Sequence, residues 1–520
     1  MTNRRASGAD RRAVLTVAAG ALLAAVNMRQ AFAQNTLGPA PAPVPPAPRP
    51  APVRHPLVHT PLSARQTDIL VRALADAETH GFRRNEFVTP ELAQLIHDQN
   101  LQDPHAQDLL KSAILDYAHA QRGQRITPSS FPEEWAVRPA PYDPEPEFVA
   151  AVSTDRLGSW LDSLPPRYEG YQALRRALTH YRALKGWKTI PDGAPLKPGA
   201  KDPRVAALRA RLLAETPLQG GETALPAKPK DPKLYDTALT QAVQAFQRRS
   251  GLYPDGIVGP PTLAALNAPL GQRVLQIEAN MERWRWLPRE LPATRVQVNI
   301  AAAVLAVYRD GEPAMAMKAV AGKPADATPM LTSQIQSIVL NPPWHVPDSI
   351  AKKEIWPKAS RDKGYLARNQ FITHKGDDGV VRLIQKAGTK SALGRFKFDF
   401  PNSFGVYLHD TPAQSGFSRT SRLASHGCVR LEQPKALAAL LLQDDQAWPE
   451  DRIDQVVAGD KTIRATLPQQ IPLFILYWTA FVDNAGAMEF RPDAYDWDRK
   501  LLALIGDVKG PDSPSANLAD

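Results

Sequence analysis

Apolar residues recur at three- and four-residue intervals through residues 62–198, as in the stretches 67–80 and 106–122, and this spacing predicts a helical region broken near Pro139 to Pro146. Scattered histidines there, such as His80, His97 and His119, have no catalytic spacing and read as surface or packing residues. From 199 to 270 the pattern predicts three short helices. Asp202-Pro203 starts the first, with Val205, Leu208 and Leu212 on one face. Asp236 opens the second, with Leu239, Ala242, Val243 and Phe246 at helical spacing, and Gly251 ends it in a left-handed cap. The turn Tyr253-Pro254-Asp255-Gly256 and the start Gly259-Pro260-Pro261-Thr262 lead to the third, with Leu263 and Leu266. Past Trp284 and Trp286 the period falls to two: Val296, Val298 and Ile300 alternate with polar neighbours. Asp310-Gly311 reads as a hairpin turn, and Ile335 to Leu340 and Val406 to Leu408 are strand-like. A charged, less regular stretch from about 350 to 390 interrupts these strands as a lid or inserted subdomain. The fold class expected is multidomain α+β, with helical units preceding a mainly β domain built on a mixed sheet or sandwich.

The N-terminal residues belong to neither pattern. Arginines at 4, 5, 11 and 12, an apolar run from Ala13 to Val26 and Ala31-Phe32-Ala33 have the layout of a cleaved export signal over 1–33. The run is shorter than the roughly 20 residues of a membrane span. Arg11-Arg12 leave the export route, Sec or Tat, open. Nine of the eighteen residues from Pro39 to Pro56 are proline, so 34–61 reads as a semi-rigid extended linker. Removing the signal, with its five arginines and one aspartate, takes the formal charge from +10 to +6. No dense basic stripe points to nucleic acid, and a carboxylate-rich cell wall suits a mildly basic surface. The 520 residues suffice for about three domains.

The single cysteine, Cys428, forms no internal disulfide and no Cys-rich metal site. It lies in Ser425-His426-Gly427-Cys428-Val429-Arg430, 19 residues after His409 in the run Tyr407-Leu408-His409-Asp410. A thiol beside an imidazole that takes its proton is an acyl-transfer nucleophile. His409 ends a strand-like run and can face a following turn. In an extended segment His426 and Cys428 would share a face. Gly427 permits close backbone approach, and the N–H groups around Cys428 are candidate oxyanion donors. The residues by themselves also allow a small buried Cys, or a zinc site that would need a fourth ligand.

Two resemblances add to this reading. AVQAFQRRSGLYPDGIVGPPTLAALN resembles the three-helix peptidoglycan-binding domain family, with an insertion between the first two helices as a departure. His409, fifteen intervening residues and SHGCVR resemble the L,D-transpeptidase (YkuD-type) signature. Asn341-Pro342-Pro343-Trp344, Ala392-Leu393-Gly394-Arg395, Phe400-Pro401-Asn402 and Tyr477-Trp478-Thr479-Ala480 are similar to motifs of its large periplasmic subfamily. Ala387-Gly388-Thr389 and Ser391 stand where that subfamily commonly has Pro-Gly-Pro and Asn.

After the export signal (1–33) and linker (34–61) read from the residues, the resemblance implies a helical scaffold (62–198), peptidoglycan-binding bundle (199–270), catalytic domain (290–465, lid about 346–390) and a packing C-terminal segment (466–520). It implies Cys428 as nucleophile, His409 as base, the Asp410 carbonyl as its orienter, and His426, Gly427 and Cys428 as the oxyanion region. Tyr407, Arg430, Ser425 and Trp344 are the implied substrate contacts. No metal or cofactor is implied. The implied partners are peptidoglycan stem peptides and glycan strands, with a carboxypeptidase or glycan synthase as further candidates. The implied reaction is 3,3 cross-linking of diaminopimelate residues in the periplasm, open to inhibition by carbapenems. The same acyl-enzyme would also serve 1,3 cross-linking, D-amino acid exchange, lipoprotein attachment or hydrolysis, and a non-catalytic wall-binding scaffold is the reading from another class.

Overall fold

The computed structural model describes residues 61–215, 225–226, 228–377, 379–483 and 485–506. The expected signal, all but the last residue of the linker and most of the insertion in the bundle lie outside the described residues. Among the described residues no helix is long and apolar enough to cross a membrane.

The N-terminal helices form where the sequence places caps. Ser63 makes a capping box at Ala64–Ala75, and Asp103 caps Pro104–Gln121, whose first residue is proline. Leu70, Leu74, Leu110, Ile114, Phe148 and Trp160 close a separate apolar cluster over 62–164. The bundle has its own cluster around Val205, Leu208, Leu239, Val243 and Phe246. Its helix Thr237–Arg249 starts at Asp236 and ends with Gly251 at φ +68°. There the Leu252 N–H reaches the Gln247 carbonyl and the Gly251 N–H the Arg248 carbonyl, a Schellman ending.

The remainder is a sheet domain. In chain order its strands are β1 (Arg295–Asn299), β2 (Val304–Arg309), β3 (Glu312–Gly322) and β4 (Leu331–Leu340). The lid strands follow, β5 (Trp344–His345), β6 (Phe371–Lys375) and β7 (Val381–Gln385). Then come β8 (Phe396–Asp399), β9 (Leu408–His409), β10 (Leu423–Ser425), β11 (Val429–Leu431), β12 (Ile463–Leu476), β13 (Ala480–Val482) and β14 (Met488–Phe490). The main sheet runs β10-β3-β11-β9-β8-β4-β12-β1-β2, and β2 also pairs with β3, so the ladder closes on itself. Asp310 and Gly311, both at positive φ, make the expected hairpin turn between β2 and β3. Two strands differ from the sequence reading. The run Val406 to Leu408 gives only the short β9, because the Val406 N–H turns to the Asn402 side chain instead of a neighbouring strand. β12 crosses the boundary expected at 465/466 and lies between β4 and β1, so the start of the C-terminal segment is part of the sheet.

A helix over Leu270–Arg285, absent from the hydropathy reading, runs through the centre of the molecule. Glu278, Asn280, Glu282, Arg283 and Arg285 on it are all buried, so it shows no polar face in sequence. Arg285 bonds Glu282 at 2.7 Å with both side chains fully covered, and Arg125 stands 3.6 Å from the same carboxylate. Arg283 pairs with Asp498, and Asn280 exchanges hydrogen bonds with Thr479 at 2.7 and 3.0 Å. The helix Glu169–Ala183 packs here, with Tyr171, Leu174 and Leu178 in the sheet domain's core rather than in the N-terminal cluster.

Glu282→Gln keeps the shape of the side chain and removes the charge between two buried guanidinium groups. The expected loss is about 3–5 kcal/mol of unfolding free energy, measured by urea denaturation followed through tryptophan fluorescence. A loss within error of zero would show that this pair does not support the fold.

Candidate active site

Cys428 sits on a bend between β10 and β11. Gly427 has φ +105°, a left-handed conformation that side chains resist, and it turns the chain back beside β9. The segment 426–428 is therefore not extended, and the face that His426 and Cys428 were expected to share does not form that way. His426 Nε2 instead lies 2.7 Å from Glu354 Oε1 of the lid.

The bend is held from below. Thr328 Oγ1 donates to the Gly427 carbonyl at 2.7 Å and accepts the Gly322 N–H at 2.8 Å. The Tyr495 hydroxyl donates to the Gly322 carbonyl at 2.5 Å and accepts the Thr328 N–H at 3.3 Å. Gly322 is required there, since a Cβ would lie 2.1 Å from the Asp326 carbonyl oxygen. Ser425, expected to touch substrate, is buried: its hydroxyl accepts the Gly427 N–H at 3.2 Å and donates to the Cys428 carbonyl at 2.5 Å. That bond also engages the Gly427 N–H, one of the expected oxyanion donors.

β11 runs parallel to β9 with Val429 opposite Leu408 and Arg430 opposite His409. The register sets Cys428 beside Tyr407, whose backbone and hydroxyl both favour the thiolate form. Trp344 acts on the Tyr407 hydroxyl, and Lys397 Nζ lies 4.6 Å from the ring centre. Of the two residues expected as substrate contacts, Tyr407 thus also acts on the sulfur, and Trp344 acts on Tyr407. Burial pushes the Cys428 thiol up, opposed by Tyr407 and by Lys397 and Arg430.

His409 is buried in β9, its ring 5.6 Å from that of Tyr407. Its Nδ1 lies 2.5 Å from the Asp410 carbonyl oxygen. A carbonyl only accepts, so the proton is on Nδ1 and Nε2 is left with a lone pair. Burial first, then Arg430 and Lys397, push its pKa down to about 3 against the pull of the Asp410 carbonyl. The imidazole is neutral at any ordinary pH. The Asp410 carboxylate has another task, accepting the N–H groups of Arg395 at 2.7 Å and Thr411 at 2.6 Å. A Cβ at Gly394 would collide with it at 2.2 Å, so the glycine of Ala392-Leu393-Gly394-Arg395 is fixed by that contact.

The lid packs its own core from Val346, Ala351, Ile355, Phe371 and Leu383. Both ends are pinned at Asn341. Its amide donates to the carbonyls of Val456 and Gly459 at 2.7 and 2.9 Å, and its Oδ1 accepts from Arg395 at 2.9 Å. Where the subfamily's Pro-Gly-Pro and Asn are replaced, Ser391 closes the hinge through bonds to the N–H groups of Leu393 and Gly394. Thr328, Glu354 and Lys397 carry no sequence signal, since each reaches the site from a different loop, lid or strand.

Thr328→Val removes the hydroxyl that ties Gly322 to Gly427. Acylation of Cys428 should fall about 10- to 100-fold while the circular dichroism spectrum is retained, and Thr328→Ser should restore most of it. A folded valine variant acylated at the wild-type rate would show that the bend holds itself.

Residues 293–457 match the family model of the L,D-transpeptidase catalytic domain (YkuD), 60–178 that of a scaffold domain and 201–266 that of a "Putative peptidoglycan binding domain". A "Putative L,D-transpeptidase" of Haemophilus influenzae is 34% identical over 220 residues, 39% of this chain and 44% of that protein. The alignment thus spans less than half the length of that curated relative. Among solved structures, an L,D-transpeptidase from Xylanimonas cellulosilytica aligns at 20% identity and TM-score 0.19, over 55% of this chain and 99% of that one. L,D-transpeptidase 3 from Mycobacterium tuberculosis aligns at 15% identity and TM-score 0.20, over 36% and 61%. Residues 293–457 are therefore similar to the YkuD-type L,D-transpeptidase catalytic domain, and the units before them to a scaffold domain and a peptidoglycan-binding domain.

Proposed function

We propose that the chain is an exported peptidoglycan L,D-transpeptidase that forms 3,3 cross-links between diaminopimelate residues through a Cys428 thioester, in the periplasm. The observation that carries the reading is the sole cysteine on a braced bend, in register with Tyr407 and with the neutral His409 on the paired strand β9, inside the residues that match the catalytic domain. The bundle would hold glycan strands near the site, with Tyr253 exposed on its turn.

In the first step His409 Nε2 takes the thiol proton as Sγ bonds to the carbonyl carbon of the third stem residue. The N–H groups of His426 and Cys428 would face the oxyanion, since that of Gly427 is engaged. Collapse breaks the bond to D-alanine, whose nitrogen takes the proton from His409. In the second step an acceptor amine attacks the thioester, the carbon–sulfur bond breaks and a nitrogen proton returns to sulfur through His409. One amide replaces another, and no cofactor is needed.

The sign of the pH effect follows from His409. Protonation removes the base, and with a pKa pushed down to about 3 this happens only in strong acid. Acylation by a carbapenem should therefore vary little from pH 8 to pH 5, measured by stopped-flow fluorescence. An acid limb centred near the ordinary histidine value of about 6.5 would show that His409 is not held neutral by the fold.

Incubation with purified sacculi and mass spectrometry of muropeptides tests the reaction. Wild type should produce 3,3-linked dimers, and Cys428→Ala none. Tripeptides alone, exchanged D-amino acids or 1,3 dimers would assign the same acyl-enzyme to another acceptor. Unchanged muropeptides together with no carbapenem adduct on Cys428 by intact mass would overturn the reading.

A further inference from the structure

The lid brings one charged group to the nucleophile that the cross-linking steps leave unused. Glu354 lies on Ala351–Ile355, a short stretch of wide π-helical winding, a local geometry frequent at functional sites. Ala351 and Ile355 of the same stretch are buried in the lid's core, so the carboxylate is carried on a packed element. It meets His426 at 2.7 Å, two residues before Cys428, and lies within electrostatic reach of Arg430, two residues after. Both Glu354 and His426 remain partly open to solvent, with side chains 40% and 32% exposed. Arg430 is also within reach of the Cys428 sulfur, and its Nε is buried without a hydrogen-bond partner. The remaining charges nearby are Asp326, which pairs with Lys323 at 2.9 Å, Lys353, and Lys397, which acts on Cys428 from the Tyr407 side. The bend therefore has an anionic group and an under-used cationic group on its two sides.

We infer that Glu354 and Arg430 form a subsite for the zwitterionic amino-acid head group at the end of a diaminopimelate side chain. The head group's ammonium would replace His426 as the partner of Glu354, exchanging one charge-assisted hydrogen bond for another, and its carboxylate would pair with the partly exposed Arg430 guanidinium. Water carries neither charge, so such a subsite favours the amine over water as the group that resolves the thioester. On aminolysis the ammonium gives one proton to the Glu354–His426 pair. The nitrogen then bonds to the thioester carbon, the carbon–sulfur bond breaks and the second proton reaches sulfur through His409. The assignment rests on the transpeptidase reading for its role in turnover. The same head group occurs on the donor and on the acceptor stem, and the experiment separates the two.

Full-length wild type, Glu354→Gln and Glu354→Asp are compared with disaccharide-tetrapeptide as donor and acceptor, and with a carbapenem that lacks the head group. If the acceptor fills the subsite, Glu354→Gln raises the acceptor KM about tenfold and shifts product toward hydrolysed tripeptide. If the donor fills it, acylation by tetrapeptide falls about tenfold and the cross-link-to-hydrolysis ratio is unchanged. In both cases carbapenem acylation stays within twofold of wild type, and Glu354→Asp recovers part of the loss. Carbapenem acylation that falls in parallel would make Glu354 a latch of the lid only and overturn the subsite, as would unchanged kinetics throughout. Calorimetry of free meso-diaminopimelate on Cys428→Ala protein gives a readout independent of turnover. Binding that is lost on adding Glu354→Gln supports the subsite, and no binding overturns it, whereas wild type that forms no cross-link counts against the transpeptidase reading.

Discussion

The structure depends on keeping the charges of the Leu270–Arg285 helix paired in its interior. A buried guanidinium or carboxylate without a partner costs several kcal/mol, so each surrounding unit must arrive with its matching group. The N-terminal region supplies Arg125 to Glu282 and the His80 carbonyl to Arg285. The C-terminal segment supplies Asp498 to Arg283 and Thr479 to Asn280. Apolar packing would tolerate small slips in position, but these bonds do not, because a hydrogen bond fails within a few tenths of an ångström. The helix therefore fixes the geometry among the scaffold, the sheet and the C-terminal segment, and Trp284 stacks on Trp478 at 4.6 Å across the same junction.

That precision reaches the bend at Cys428. Tyr477, Tyr495 and Trp497 pack together on the C-terminal side, and Tyr495 holds both Gly322 and Thr328. From the other side the scaffold's Glu134 and Ala136 exchange backbone bonds with Met330 at 2.8 Å, two residues beyond Thr328. The loop that supports Gly427 is thus clamped between segments from opposite ends of the chain. A neutral thiol and a neutral imidazole gain catalytic value only when a substrate carbonyl is placed accurately between them and the oxyanion donors. The braced loop fixes the position of Gly427, and the expected lid forms a separate small core pinned at Asn341.

Where local physics decides conformation, the sequence was readable. Asp236 as a cap, Gly251 as a left-handed ending and Asp310-Gly311 as a hairpin turn each depend on a few adjacent residues, and the structure forms all three. The Leu270–Arg285 helix was not readable because hydropathy equates charge with exposure, and here the charges are inside. The shortness of β9 and the occupation of the Gly427 N–H were hidden for a related reason: a side chain, Asn402 in one case and Ser425 in the other, competes for a backbone group.

The sequence by itself determined the candidate reactive atom and the broad architecture. One cysteine exists, its neighbours are histidines and a glycine, and the motifs around it are specific. Tertiary structure alone decided what that atom touches. The parallel register of β9 and β11 sets Tyr407 beside Cys428, and a bend at Gly427 turns His426 toward Glu354. Tyr495 and Gly322, bonded at 2.5 Å, are 173 residues apart in the chain. Such pairings arise from how strands are ordered and packed, and residue spacing carries no record of them.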